Sequence, residues 1–275
     1  MNVKRRFLRP WRFTGAVLAC LLPAILAAES DTRPAESEKI EYGKPKKLCD
    51  LANRKIGESS GLACSRLRDG VFWTHNDSGD RPQIYAFDTD GKDLATFEVK
   101  GAEARDWEDM ASFSLGKGKG KRSFLLLADV GDNARNRKTC RLYIVPEPAI
   151  GKSDKPVLGT TGAAMKIDFA YEDGPHDCES VAVDTGARKI YLASKESPLK
   201  ARIYELPLPN RSTTRVLKAK AVANIPILFA TAMDISPDGL RAVILTYAAA
   251  HEFTRKADQT WAQGFSQPPR TVKMP

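Results

Sequence analysis

Carboxylates and histidines recur at matching places in this chain. Glu108 and Glu179 each stand two residues before a small apolar pair, Met110-Ala111 and Val181-Ala182. Carboxylates that converge in a confined space repel, and a bound cation relieves the repulsion. Oxygen donors without soft ligands favour Ca²⁺ or Mg²⁺ over zinc or copper. The expected metal set is Asp77, Glu108, Asp129, Asp132 and Glu179, with Ca²⁺ as the cofactor. Around it the polar residues His75, Asn76, Asp106, Asn133, His176, Lys195 and His251 are expected to line a ligand pocket. A structural reading stands beside this one: Asp-x-Gly-Asp turns often cap their own backbone amides, and acidic groups at strand starts are often simply solvated. No Ser/His/Asp set has a recognisable setting.

The elements that must position these groups repeat. Asp106-Trp-Glu-Asp-Met-Ala opens a unit that crosses a Gly/Lys loop at 116–121, continues as Phe124-Leu-Leu-Leu-Ala128, turns at Asp129-Val-Gly-Asp-Asn133 and resumes at Leu142-Tyr-Ile-Val145. The same grammar runs from Gly61 to Phe87, from Glu179 to Leu206 and from Met233 to Tyr247. Similarity at a period of roughly 50–70 residues, with three or four short strands per unit, marks a β-propeller or related array. The fold class is therefore all-β, with no sustained helical periodicity after residue 28. Asp90-Gly91 and Asp238-Gly239 read as tight reversals, so Asp88-x-Asp90-Gly-x-Asp93 is a turn rather than a calcium loop. Trp73, Tyr85, Tyr143 and Tyr204 are expected to pack between units.

An antiparallel meander places the start of each first strand and the end of each second strand at one end of the unit. That sorts Glu58, Asp106, Glu108, Asp109, His176, Asp177, Glu179 and Asp234 to one face, with the turns carrying His75, Asp77, Asp80, Asp129, Lys195 and His251. The 116–121 loop falls on the opposite face.

The N-terminus reads as a leader. Lys4, Arg5, Arg6, Arg9 and Arg12 precede an apolar run over 13–26 that contains Pro23 and ends in Ala27-Ala28. The run is too short and broken for a membrane span. The apolar residues after Cys20 favour a cleaved signal over a lipoprotein box. Residues 1–28 are thus a signal peptide, 29–47 a flexible tether and 48–275 the propeller domain, in the periplasm or secreted, with no transmembrane segment in the mature chain. Cleavage takes five basic and no acidic residues, so the net charge falls from +9 to +4. Nothing then calls for nucleic acid. Cys49, Cys64, Cys140 and Cys178 remain; they permit two disulfides in three pairings, or free thiols.

The motifs Trp73-Thr-His-Asn-Asp-Ser-Gly-Asp80, Asp106-Trp-Glu-Asp109, Asp129-Val-Gly-Asp-Asn133 and Ala230-Thr-Ala-Met-Asp-Ile-Ser-Pro-Asp-Gly239 resemble a family of exported bacterial propeller proteins of unassigned function. The likeness covers most of 55–270. More distantly the chain is similar to calcium-dependent six-bladed propellers of the gluconolactonase and NHL kind, and its Ser-Pro-Asp-Gly turn to TolB-type repeats. The resemblance implies five or six blades, the last missing or incomplete here. The functional expectation is an extracytoplasmic propeller that binds a small molecule, glycan or protein at an acidic face. The alternative is a metal-dependent lactonase- or phosphoesterase-like hydrolase, in which Glu108, Glu179 and Asp129 hold the ion and His176 or Asp77 moves the proton.

Overall fold

A computed structural model describes residues 41–43, 46–195 and 201–274. The expected signal peptide, most of the expected tether, and residues 196–198 of the turn after Ser194 lie outside the described residues.

Short runs of β-branched and aromatic residues, punctuated by Gly, Asp and Pro, form four antiparallel meanders. The first holds β1 (Ser59–Cys64), β2 (Val71–Asn76), β3 (Gln83–Asp88) and β4 (Asp93–Glu98). The second holds β5 (Trp107–Leu115), β6 (Arg122–Asp129) and β7 (Cys140–Pro146). The chain then leaves to form β8 (Val157–Thr160) and returns as β9 (Met165–Tyr171), the outer strand of the second meander. The third is β10 (Cys178–Asp184), β11 (Lys189–Ser194), β12 (Ala201–Pro207) and β13 (Leu217–Ile225). The fourth is β14 (Ala232–Ile235), β15 (Arg241–Leu245), β16 (Ala249–Thr254) and β17 (Arg270–Lys273), with one helical turn, α1 (Trp261–Phe265), before β17.

The meanders pack as blades. Innermost strands neighbour one another in the order β1, β5, β10, β14. One apolar cluster fills each seam: Trp73, Phe97 and Leu127 between blades 1 and 2; Leu126, Phe169 and Leu192 between 2 and 3; Ile203, Met233 and Trp261 between 3 and 4. Trp73, Tyr85, Tyr143 and Tyr204 are buried, as packing residues should be. This is a β-propeller architecture in which the described residues build four blades.

Each neighbouring pair is also tied away from the axis. β8 adds to blade 1 in parallel with β4, although the chain on either side of it belongs to blade 2. β13 pairs in parallel with β9, which joins blades 2 and 3 into one eight-stranded sheet. α1 packs on both β13 and β16, linking blades 3 and 4. The segment ahead of β1 spans blades 4 and 1. At one end the Tyr42 hydroxyl donates to Glu252 at 2.9 Å, with Arg270 over the Tyr42 ring at 4.9 Å. At the other, the Ala52 amide donates to the Gly91 carbonyl at 2.9 Å. Gly91 has φ +78°, and a Cβ there would stand 2.1 Å from the Asp50 carbonyl oxygen, so this reversal requires glycine twice over. In the same turn the Asp88 carboxylate accepts the Asp90 and Lys92 amides, both at 3.0 Å.

The cysteines are all free among the described residues, the second of the two alternatives their number left open. Cys140 and Cys178 lie in the apolar seam between blades 2 and 3, while Cys64 is exposed on β1 and Cys49 half-buried ahead of it.

Candidate functional site: a carboxylate cluster at one mouth

Three of the four innermost strands begin with a β-bulge. The register slips between Ser59 and Leu62 in β1, between Trp107 and Asp109 in β5, and between Cys178 and Val181 in β10. A bulge sets an extra residue on one strand, bends it and re-aims a side chain. In blade 2 the bulge holds Glu108; in blade 3 it holds Glu179 and Ser180. β14 keeps regular register and offers no acid there.

Glu108 is 4% exposed. Asp106 immediately precedes β5, and Asp77 follows β2 on the neighbouring blade. Carboxylate oxygens of Asp77, Asp106 and Glu108 all lie within 4.8 Å of one another. Among the described residues, none of the three has an ion-pair partner. The backbone of the turn after β6 closes over them: the Asp106 carbonyl accepts the Val130 and Gly131 amides at 3.1 and 3.2 Å. A Cβ on Gly131 would fall 2.3 Å from Glu108 Oε1 and 2.4 Å from Asp106 Oδ2. Any side chain at this position would push both carboxylates aside.

Electrostatics follows from the geometry. Burial, with Glu179, Asp77, Asp106 and Asp177 nearby, pushes Glu108 up to about 9. Burial also raises Asp106, reinforced by Asp77 and opposed by Arg137. Burial raises Glu179 too, although Lys195 pulls the other way. With nothing else to neutralise it, the cluster favours the protonated form of Glu108.

Two nearby cations are committed elsewhere. Arg137 reaches Asp129 Oδ1 at 2.8 Å with both side chains almost fully buried, and donates to the Gly131 carbonyl at 2.8 Å. Lys195 pairs with Glu179 and sits 5.6 Å from the centre of the Tyr247 ring.

Of the expected metal set, Asp77 and Glu108 therefore come together, joined by Asp106 from the expected pocket. Glu179 acts on Glu108 through space but holds Lys195. Asp129 belongs to Arg137. Asp132 caps its own turn, accepting the Asn136 and Arg137 amides at 3.0 and 2.7 Å. Its own amide donates to Asp177 at 2.9 Å, which fastens this turn to the start of blade 3.

Most residues of the expected pocket lie apart from the cluster, for simple reasons. His75 lies beneath the cluster, fully buried against the Trp107 ring at 5.4 Å, with Nδ1 2.8 Å from the Asn76 carbonyl. Burial lowers its pKa, so it is a neutral core residue. Asn76 locks the loop by donating to the Lys55 carbonyl at 2.7 Å and to Asp80 at 2.6 Å. Asn133 is exposed at the turn tip. His176 contacts Asp173 at 3.0 Å and packs against the Tyr171 and Tyr204 rings at 5.3 and 5.2 Å. His251 is on β16, the third strand of its blade, beside Thr271 of β17 at 3.2 Å; strand position takes it away from the axis.

Asp109 also departs from the rim expectation. It is buried, and its carboxylate accepts three backbone amides: Met110 at 2.8 Å, Val181 at 2.8 Å and Met233 at 3.1 Å. One side chain on blade 2 so joins the inner strands of blades 3 and 4. Arg137 and Gly131 were the residues missed by sequence reasoning. The turn motif around Gly131 signalled a bend, but only the fold shows which carboxylates it faces.

No family model matches the chain, and no curated protein matches it. Among solved structures, a chain of the nidogen/laminin complex aligns with TM-score 0.41 and 11% identity, over 74% of this chain and 64% of its own length. The hydrazine synthase of Kuenenia stuttgartiensis aligns with TM-score 0.36 and 9% identity, over 78% of this chain and 71% of its own. At those scores the fold assignment rests on strand topology and seams alone. No helix among the described residues is long and apolar enough to cross a membrane.

Proposed function

We propose that this chain is an extracytoplasmic binding propeller of the exported bacterial kind, and that a divalent cation, Ca²⁺ in the first instance, sits among Asp77, Asp106 and Glu108. The observation that carries this reading is the meeting of those three carboxylates, from two blades, with no ion-pair partner on any of them among the described residues. Two features of the residues fit the ion. The donors are all hard oxygens, which Ca²⁺ and Mg²⁺ prefer. The Gly131 backbone keeps the space beside Glu108 and Asp106 free of any side chain. Calcium takes about 6–8 oxygen ligands, so three carboxylates leave positions for backbone, water or the oxygens of a bound partner. The ligand this supports is one rich in oxygen donors: a glycan, a carboxylated small molecule or an acidic protein loop.

The hydrolase alternative is less well supported. It needs Asp129 and Glu179 as ligands, yet these are engaged by Arg137 and Lys195; of its two proton carriers His176 is held by Asp173, and Asp77 stands among the carboxylates proposed to hold the ion.

The test is thermal unfolding of chelator-stripped protein with and without excess Ca²⁺ or Mg²⁺. A ligand at 100 times its dissociation constant stabilises by about 2.7 kcal/mol, which raises the melting temperature by several degrees. No shift with either ion would remove the cation. A panel of lactones and phosphomonoesters turned over only in the presence of metal would restore the hydrolase in place of the binding reading.

A further inference from the structure

A cavity lies at the other end of the same blade. It is bounded by the far ends of β5, β6 and β7, the start of β9, and the loop after β12, and has a volume of about 570 Å³. That is within the roughly 300–1,000 Å³ of small-molecule sites. Its floor is apolar. Phe113 and Leu208 are buried, Phe124 and Met165 partly so, and the Phe113 and Phe124 rings stack with centroids 5.5 Å apart. Its rim is basic. Arg122 and Arg211 are both exposed, and the guanidinium of Arg122 lies 5.4 Å from the centre of the Phe124 ring, so one cation already leans over the floor.

Among the described residues, no acidic side chain lines the cavity. Elsewhere the cations near the axis are spent on carboxylates, as Arg137 is on Asp129 and Lys195 on Glu179. Arg211 has no such partner among the described residues. Lys117, Lys119 and Lys121 on the adjoining loop add to the positive field at this end. Apolar surface covered by an organic body, with two cations at its edge and no competing anion, is complementary to one class of ligand.

We propose that this cavity binds a small amphipathic carboxylate, its apolar body on Phe113, Phe124, Met165 and Leu208 and its head group at Arg122 and Arg211. Guanidinium and carboxylate match in shape and can share two hydrogen bonds, which makes arginine better suited here than lysine. The site is separate from the carboxylate cluster, which lies at the opposite end of β5 and β6, and it needs no divalent ion.

Calorimetric titration with decanoate, below its micellar concentration, tests the assignment beside the uncharged decanol and the cationic decyltrimethylammonium. Decanoate is expected to saturate at one per chain and to bind at least tenfold more tightly than decanol, with the ammonium weakest. Arg211→Gln and Arg122→Gln change only exposed side chains; each is expected to weaken decanoate at least fivefold and leave decanol unchanged. Leu208→Trp, which fills the floor, is expected to abolish binding of both, with its circular dichroism compared to the parent. Equal affinity for decanoate and decanol, indifference to both arginine variants, or binding that disappears with a chelator would each overturn the proposal.

Discussion

Glu108 and Asp109 are consecutive, both acidic and both buried, yet their surroundings differ in kind. Asp109 points into the seams, where three backbone amides from β5, β10 and β14 satisfy it. Glu108 sits in the bulge and meets other carboxylates. Burial raises both pKa values, but in one case structure answers the charge and in the other it does not. The lesson is that a buried acid is a candidate site where its neighbours leave it unanswered, not where it is merely buried.

The largest expected effect comes from breaking the answered side. Asp109→Ala strands amides of three inner strands, at about 1–3 kcal/mol each, and should cost about 4 kcal/mol in denaturant unfolding. Asp109→Asn keeps an acceptor and should cost less than half of that. If the alanine variant unfolded at the parent's midpoint, Asp109 would not be the link between blades.

Next in size is Gly131→Ala. Its Cβ displaces Glu108 and Asp106 together, so Ca²⁺ affinity should fall at least tenfold while the fold persists by circular dichroism. An unchanged dissociation constant would show that the ion, if bound, sits elsewhere.

The pH dependence sharpens the same contrast. Unfolded Glu108 loses its proton near 4.5, whereas in the folded chain it holds it up to about 9. Over that window the native state binds the extra proton, so stability of the metal-free protein falls as pH rises from about 5 to about 9. Asp106 and Glu179, also raised, act with the same sign. His75, lowered by burial, acts with the opposite sign below its ordinary 6.5, so the decisive quantity is the difference from Glu108→Gln. The parent's stability relative to the variant should fall as pH rises through this window, because the other titrating groups are common to both, and melting curves at half-unit steps would measure it. The smallest effect is expected at His251, whose change to Asn should leave Ca²⁺ affinity within twofold, since strand position removes it from the cluster.

Much of this was legible in the residues. The alternation of Val, Ile, Leu and aromatics with Asp-Gly turns announced the blades, because period-two patterning and positive-φ glycines at 91 and 239 are local properties. The equivalence of Glu108 and Glu179 was legible as well, since both follow from one repeat. Their separate fates were not. Lys195 and Arg137 reach Glu179 and Asp129 from different strands and turns, and spacing along the chain does not disclose which carboxylate each will neutralise. The peripheral ties through β8, β9 and Tyr42 depend on contacts across 48 to 210 residues and left no periodic mark.

The most direct measurement is calorimetric titration of Ca²⁺ into metal-stripped protein beside Glu108→Gln. The account expects one saturable site per chain in the parent and a dissociation constant at least tenfold weaker in the variant. Absence of binding heat in the parent, or equal affinity in both proteins, would contradict it.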